Sequence, residues 1–430
     1  MMDAERKATW RSLKDADVVV STCIGAMSDA LISNSVVNAS TVPDGAEPFR
    51  FRTVLIDEAS QCAEPGALVP LLVGAEQLIL IGDQNQLPPT VLSKEAAQGG
   101  LHVSLFERLL SLGMEAHLLT RQYRMPPSIA EFPSKRFYGG KLTTEKREAS
   151  DPASERRDIL WPRPSRGPVA FVDMSRPHLA KRHVPKASGE KKGKAPADEA
   201  PRTLERTRAQ PGAANQADDG RSPQRSKGSI ENPMEAEEAV KIVVDWIKRG
   251  YAGEAIGIIS PYNAQVRRIR DLLKKKAFGV DKEIRRGQRL GETEDQRSQS
   301  QHGDEGEEKL KDLRNERLRT ELFQVEVNTV DGFQGREKPL VVFSSVRSNS
   351  GSRVGFLSDW RRLNVALTRP REGLVVLGDP RTLKSDATWS AYVRWCQNKG
   401  FVVPPGALYR TSGDAKTKGG AKTQKDQPAP

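Results

Sequence analysis

The sequence predicts an α/β protein built on parallel sheets, and three observations carry that reading. Short apolar runs, Thr53-Val54-Leu55-Ile56 and residues 78–81, show no alternation, which is how strands buried on both faces of a parallel sheet read. Between them residues 64–73, rich in Ala and Leu, read as a helix, so strand, helix and strand make a βαβ unit with a right-handed crossover. Each apolar run stops at polar groups: Asp57-Glu58 after the first, Gly82-Asp83-Gln84 after the second. Open parallel sheets bind ligands beyond the carboxyl ends of their strands, so both acidic clusters stand where a metal–nucleotide would lie.

The other elements follow in order. Residues 4–14 read as a charged helix, residues 17–22 as a short buried strand ending in the hydroxyls of Ser21 and Thr22, and residues 33–52 as a surface excursion. After the βαβ unit come a helix at 105–112, a brief strand at 117–119 and a helix beginning at 128–132, behind Pro126-Pro127. Strand character resumes at 169–172. Ala239, Ile242, Val243 and Trp246 recur at helical spacing over 235–248, with acids in the first turn. Residues 256–259, 325–330, 340–346 and 374–377 read as strands, 262–275 as a basic helix and 361–367 as another helix.

These elements group into two lobes of similar α/β architecture. The first spans 1–142, a charged and proline-containing hinge spans 143–166, the second lobe spans 167–410, and 411–430 is a loose tail. Residues of about 176–232 hold almost no large apolar side chains, too little burial to offset chain entropy, and are expected to be a disordered insert. A second polar insert, with helical potential near its end, is expected over about 279–318.

Composition sets the outer bounds. The 430 residues suffice for two or three domains, and the net charge of +12 suits either a nucleic-acid partner or a solvated basic surface with basic tails. Cys23, Cys62 and Cys396 are scattered without metal-ligand spacing, which predicts reduced thiols. The amino terminus is too charged for a signal peptide and no apolar stretch is long enough to span a bilayer, so no membrane partner and a nuclear or cytoplasmic location are expected.

Four motifs bear on chemistry. In Asp57-Glu58 one carboxylate suits Mg²⁺, and the next can orient or deprotonate an attacking water; the dipeptide alone is equally an acidic cap on the following helix. Gln86, one strand later in GDQNQLPP, is placed to hold a γ-phosphate or the water and so favours the chemical reading. In Gln122-Tyr123-Arg124-Met125 the ring suits a nucleobase and the guanidinium a phosphate, or the two form a surface pair. DGFQGRE, residues 331–337, follows a strand and brings two glycines to a loop that can approach phosphate, or is a tight turn. Arg369 follows an apolar helix and suits an arginine finger, or lies on the surface. Four such elements in this order argue against coincidence.

The stretches VLIDEASQCAEPGALVPL, LILIGDQNQLPPTV, QYRMPPSIAEFPSKRFYGGKL, AIGIISPYNAQ, VNTVDGFQGREKPLVVFSSVRSN and GFLSDWRRLNVALTRPREGLVVLGD resemble successive motifs of superfamily 1 helicases. The branch is the one that holds the nonsense-mediated-decay helicase and senataxin; VNTVDGFQGRE leans to the senataxin side. The resemblance covers roughly 17–140, 167–175 and 233–383. It implies two RecA-like lobes with ATP in the cleft, a single strand of RNA or DNA crossing both, and 5′-to-3′ movement driven by hydrolysis. Carried over by motif, Asp57 and Glu58 serve Mg²⁺ and water, and Gln86 and Arg124 contact the γ-phosphate. Tyr123 lies against the base, Gly335 and Glu337 line the second lobe's nucleotide side with Glu337 near the ribose, and Arg369 completes charge stabilisation. Ser21, Thr22, Pro88 and Thr329 match positions near the nucleic-acid track. Pro370 stands where the family commonly has a small residue.

One family motif is not found. No G-x-x-x-x-G-K-[ST] occurs in these 430 residues; GEKKGK at 189–194 has the wrong spacing and no terminal hydroxyl. The family carries this phosphate loop, on a central strand, upstream of the motif that begins here at Asp17. The first lobe is therefore expected to be incomplete, with unpaired edges and an exposed apolar face. Three readings follow: the carboxyl-terminal portion of an ATP-dependent helicase, a non-catalytic single-strand-binding or scaffolding protein derived from one, or a fragment that does not fold alone.

Overall fold

A computed structural model of the chain describes residues 2–32, 35, 47–145, 161, 167–175, 229–294 and 305–409. The amino-terminal part runs α1 (Met2–Lys14), α2 (Asp29–Ile32), β1 (Thr53–Ile56), α3 (Glu64–Leu68), β2 (Gln77–Leu80), α4 (Lys94–Ala96), α5 (Leu105–Ser111), β3 (Arg121–Gln122), α6 (Pro127–Phe137) and β4 (Thr143–Thr144). The carboxyl-terminal part runs β5 (Val169–Asp173), α7 (Pro233–Lys248), β6 (Ile256–Ser260), α8 (Asn263–Glu294), α9 (Glu305–Gln324), β7 (Glu326–Thr329), β8 (Lys338–Ser344), α10 (Trp360–Leu367), β9 (Pro370–Gly378), α11 (Pro380–Leu383), α12 (Ala387–Asn398) and β10 (Val402–Val403). The architecture is α/β with parallel sheets, as the apolar runs predict.

The larger sheet has six strands in the order β10-β5-β9-β8-β6-β7, all parallel. Because side chains alternate across a strand, each of its apolar runs feeds two cores. Ala170, Val172, Leu340, Val342, Val375 and Leu377 join Ile242, Trp246, Ile269 and Leu322 from α7, α8 and α9 on one face. Val169, Phe171, Val341, Phe343, Leu374 and Val376 join Leu363, Trp389 and Tyr392 from α10 and α12 on the other. That two-sided burial is why these strands read as continuous apolar runs.

Helix starts follow local chemistry. The Asn232 side chain accepts from the Glu235 N–H with Pro233 opening α7, Asp359 accepts from the Arg361 N–H at α10, and Asp386 accepts from Thr388 and Trp389 N–H groups at α12. The second core also takes Leu87, Met125, Ile129 and Phe132, from residues earlier in the chain than the expected hinge. Within it Phe137 stacks on Trp360 and Phe132 meets Tyr392 edge-on.

The amino-terminal sheet is smaller. β1 and β2 pair in parallel from Thr53 opposite Gln77 to Ile56 opposite Leu80. One face, with Val54, Ile56, Leu78 and Leu80, packs on Ala59, Ala67 and Leu105. The other face is open: Leu55, Ile79 and Ile81 are exposed. These strands are thus covered on one face where the sequence predicts two, because no layer among the described residues covers the second.

Four further expectations change. Residues 17–22 form no strand; Val18 and Val20 are 76% and 89% exposed, since no described strand pairs with them. The strand expected at 117–119 lies instead at Arg121–Gln122, where Thr143–Thr144 supplies a parallel partner. The helix expected over 64–73 is α-helical only to Leu68 and continues as a 3₁₀ turn, because Pro70 has no N–H to donate. The second insert is narrower than predicted: α8 runs on to Glu294 and α9 starts at Glu305, held by buried Ala277, Val280, Leu318 and Leu322. Residues 176–228 of the first insert expected over about 176–232, the hinge apart from 143–145 and Trp161, and the tail at 411–430 lie outside the described residues.

Candidate active site

The carboxyl end of β1 delivers Asp57 and Glu58, both exposed. Glu58 has φ of +51°, a left-handed conformation that costs a non-glycine residue on the order of 1 kcal/mol and is typical of functional strand ends. The Asp57 carboxylate accepts from the Glu58 N–H at 2.9 Å, and the Gln61 amide donates to the Glu58 carboxylate. The turn therefore presents two carboxylates side by side at the strand end.

The end of β2 builds a polar network that crosses to the carboxyl-terminal part. Asp83 accepts from the Gln86 amide at 2.8 Å and from the Tyr138 hydroxyl at 2.6 Å. Asn364, on α10, donates to that Tyr138 oxygen and to the Asn85 carbonyl, both at 2.8 Å. Arg361 donates to the Gln84 carbonyl at 3.1 Å and pairs with Glu107 on α5 at 2.9 Å. Burial first, and then the neighbouring Asp83 charge, push the Tyr138 phenol well above its ordinary range, so Tyr138 stays a donor.

Arg369 is central to this network. It follows α10, is only 2% exposed, and donates to the Val365 carbonyl at 3.0 Å, the Arg336 carbonyl at 3.3 Å and the Gln86 amide oxygen at 3.2 Å. Burial and then the Arg124 charge bring its guanidinium down to about 10, while Glu58, Tyr138 and Asp83 act the other way. Arg369 therefore remains cationic at neutral pH. Arg124 pairs with Glu337 and donates to the Thr368 carbonyl at 3.1 Å; Arg371 approaches the same Glu337 at 3.4 Å.

The structure thus brings Gln86, Arg124, Glu337 and Arg369 into one cluster, with Glu58 close enough to act on Arg369 electrostatically. Gly335 has φ of +73° with open space at its Cβ position, a backbone that glycine adopts without strain. Tyr123 is exposed on the neighbouring loop. Ser21, Thr22, Pro88 and Thr329 stay outside the cluster: the Thr22 hydroxyl caps Gly25 at 3.0 Å and the Thr329 hydroxyl accepts from the Gly332 N–H at 3.1 Å. Tyr138, Asn364 and Arg361 received no role from the sequence, and Asp83 only a place in the acidic cluster after the second strand; all lie inside the quoted motifs, but only the fold shows that they meet.

As a test of fit, the exposed Asp57 carboxylate suits Mg²⁺, which takes one or two carboxylates and keeps waters and phosphate oxygens as its other ligands. Among the described residues no group of three or more His, Cys, Asp and Glu side chains gathers as a metal cage. The two carboxylates thus lie at a strand end, with Glu58 acting electrostatically on the buried Arg369 from another element.

Comparison with known proteins agrees. Two models, each described as "AAA domain", match residues 1–94 and 101–381. The "Regulator of nonsense transcripts 1 homolog" of Arabidopsis thaliana is 34% identical over 90% of this chain and 23% of its own length. "ATP-dependent helicase upf1" and "Helicase sen1" of Schizosaccharomyces pombe are 32% and 31% identical, over 91% and 93% of this chain. The chain belongs to this family of superfamily 1 helicases, the Upf1 and senataxin branch. It spans 23%, 32% and 18% of the length of those three relatives.

Proposed function

We propose that the chain supplies most of the catalytic cleft of an ATP-dependent 5′-to-3′ RNA/DNA helicase, working on a single strand in the nucleus or cytoplasm. The observation that carries the proposal is the Arg369–Gln86 bond at 3.2 Å, which joins an arginine beyond α10 to the loop after β2. The two groups satisfy each other across the cleft. A γ-phosphate between them would replace one neutral-acceptor bond by charge-assisted ones, so opening and closing of the cleft would follow the phosphate. Asp57 would hold Mg²⁺, which would neutralise phosphate charge. Glu58 would orient and deprotonate water, and Arg124 and Arg369 would meet charge developing on the transferred group. Tyr123 would stack on the base, Gly335 and Glu337 would line the nucleotide side, and Ser21, Thr22, Pro88 and Thr329 would follow the nucleic acid.

The phosphate loop is not among these 430 residues. The test is therefore a polypeptide carrying a strand, GxxxxGK[ST] and a helix ahead of Asp17. ATP hydrolysis stimulated by single-stranded RNA or DNA is expected, and Glu58→Gln should abolish turnover while keeping nucleotide, since only the water-activating charge is lost. Near-normal turnover in that variant would overturn the role of Glu58, and no stimulated hydrolysis would overturn the enzyme. The missing loop favours one second reading, a non-catalytic single-strand binder, for which binding by the present chain would be the same with and without ATP.

A further inference from the structure

The hydrogen bonds that meet at Tyr138 have a fixed polarity. A carboxylate only accepts, and Asp83 Oδ2 takes both the Tyr138 hydroxyl at 2.6 Å and the Gln86 amide at 2.8 Å. Asp83 Oδ1 takes the Asn85 N–H at 2.9 Å. With its one proton given to Asp83, the Tyr138 oxygen accepts from the Asn364 amide at 2.8 Å. Gln86 must turn its NH₂ to Asp83, so its carbonyl oxygen faces the other way, to the Arg369 guanidinium at 3.2 Å. The bonds close a ring. They run from Asn364 through Tyr138, Asp83 and Gln86 to Arg369, and back through the Val365 carbonyl at 3.0 Å to α10, which carries Asn364.

The end of α6 that carries Tyr138 is tied down on its own account. The Tyr138 N–H donates to the Ser134 carbonyl at 3.1 Å, the Asn85 amide donates to the Phe137 carbonyl at 3.0 Å, and Phe137 stacks on Trp360 of α10. Asn364 also donates to the Asn85 carbonyl at 2.8 Å. Loss of the Tyr138 hydroxyl therefore leaves these elements in contact and removes only the restraint on Asp83 and, through it, on the way Gln86 faces. We propose that Tyr138 is a positioning residue for ATP hydrolysis, on the reading of the cleft just given. Through Asp83 its hydroxyl keeps the Gln86 oxygen turned into the cleft, where that oxygen accepts a proton from the attacking water once Arg369 turns to the phosphate. The last torsion of a glutamine is soft and roughly two-fold, so an unrestrained Gln86 would also present its NH₂, which cannot accept from water.

The experiment measures steady-state ATP hydrolysis, stimulated by single-stranded RNA, in the polypeptide that carries the phosphate loop. Tyr138→Phe keeps the ring and removes one oxygen. It should lower kcat by about 10- to 100-fold, the worth of a hydrogen bond to a charged group, and leave KM for ATP unchanged. Asp83→Asn keeps the shape but offers an NH₂ that the Gln86 oxygen can accept from, so it should give the same loss in kcat. In a Gln86→Ala background Tyr138→Phe should cost nothing further, because its effect passes through Gln86. Unchanged kcat in either variant would overturn the proposal. So would a loss seen only as a raised KM, or one that multiplies with that of Gln86→Ala, since either would make Tyr138 a merely structural residue. In each of those cases the unsubstituted polypeptide still hydrolyses ATP and the helicase reading stands. No stimulated hydrolysis by the unsubstituted polypeptide would overturn both.

Discussion

Arg369 shows how one side chain takes its role from its surroundings. Its place after an apolar helix only nominates it among the arginines of a chain with net charge +12; burial and four accepting oxygens, that of Gln86 among them, set it apart. In the phosphate-loop-bearing polypeptide, Arg369→Ala should slow ATP hydrolysis by about 10³-fold or more, the worth of an arginine finger, and unchanged turnover would contradict the role. Glu235 is the counterpart in the six-stranded part of the molecule. It is fully buried and accepts from Asn232, from the Ser344 hydroxyl at 2.7 Å and from the Val346 N–H at 2.8 Å, where Val346 is held at φ of +70°. Desolvation raises its carboxyl to about 7 despite those donors, with Asp379 adding to the rise. The native state therefore keeps a proton that the unfolded chain loses near 4.5, so stability falls as pH rises from about 4.5 to about 7, by about 3 kcal/mol in all. Thermal unfolding followed across that window should show the decline in the natural chain and a flatter profile in Glu235→Gln. Parallel profiles would place the buried proton elsewhere.

Among the elements, α9 departs furthest from its sequence. Its polar composition suggests a solvated insert, yet Leu318 and Leu322 reach the first core and Glu321 binds the Gly253 N–H at 2.6 Å. Gly253 is where the helix and the lead into β6 touch most closely: a Cβ there would meet the Glu321 carbonyl oxygen at 1.8 Å. Backbone cannot yield as a side-chain end can, so Gly253→Ala should cost about 2 kcal/mol or more, read as a lower denaturant midpoint. A midpoint equal to that of the natural chain would show that α9 is not docked. The contrast with β8 and β9 is physical. A strand buried on both faces must be apolar at every position and so announces itself, whereas α9 buries a single stripe and keeps the remainder charged.

At the scale of the whole molecule, the amino-terminal part meets the six-stranded part through polar contacts around the cleft and through α6. The pairs Arg124–Glu337, Arg361–Glu107 and Asn364–Asn85 lie beside apolar packing of Phe132 and Phe137. Among the described residues no helix is long and apolar enough to cross a membrane. For the proposed single strand, binding should weaken steeply with salt, the logarithm of affinity falling by about 0.7 per phosphate contact for each unit of log salt. A titration whose affinity is independent of salt would remove nucleic acid as the partner of the basic surface. The sequence by itself determined the α/β class, the apolar strands of the six-stranded sheet, the helix at 235–248 and the motifs that hold Asp57, Glu58, Gln86, Arg124, Glu337 and Arg369, because apolar period and polar strand ends are local properties. The tertiary structure alone decided which of those residues meet, that Asp83, Tyr138 and Asn364 join them and that residues 17–22 stand open. Such contacts arise from chain segments far apart in sequence, and no local pattern encodes the distance between them.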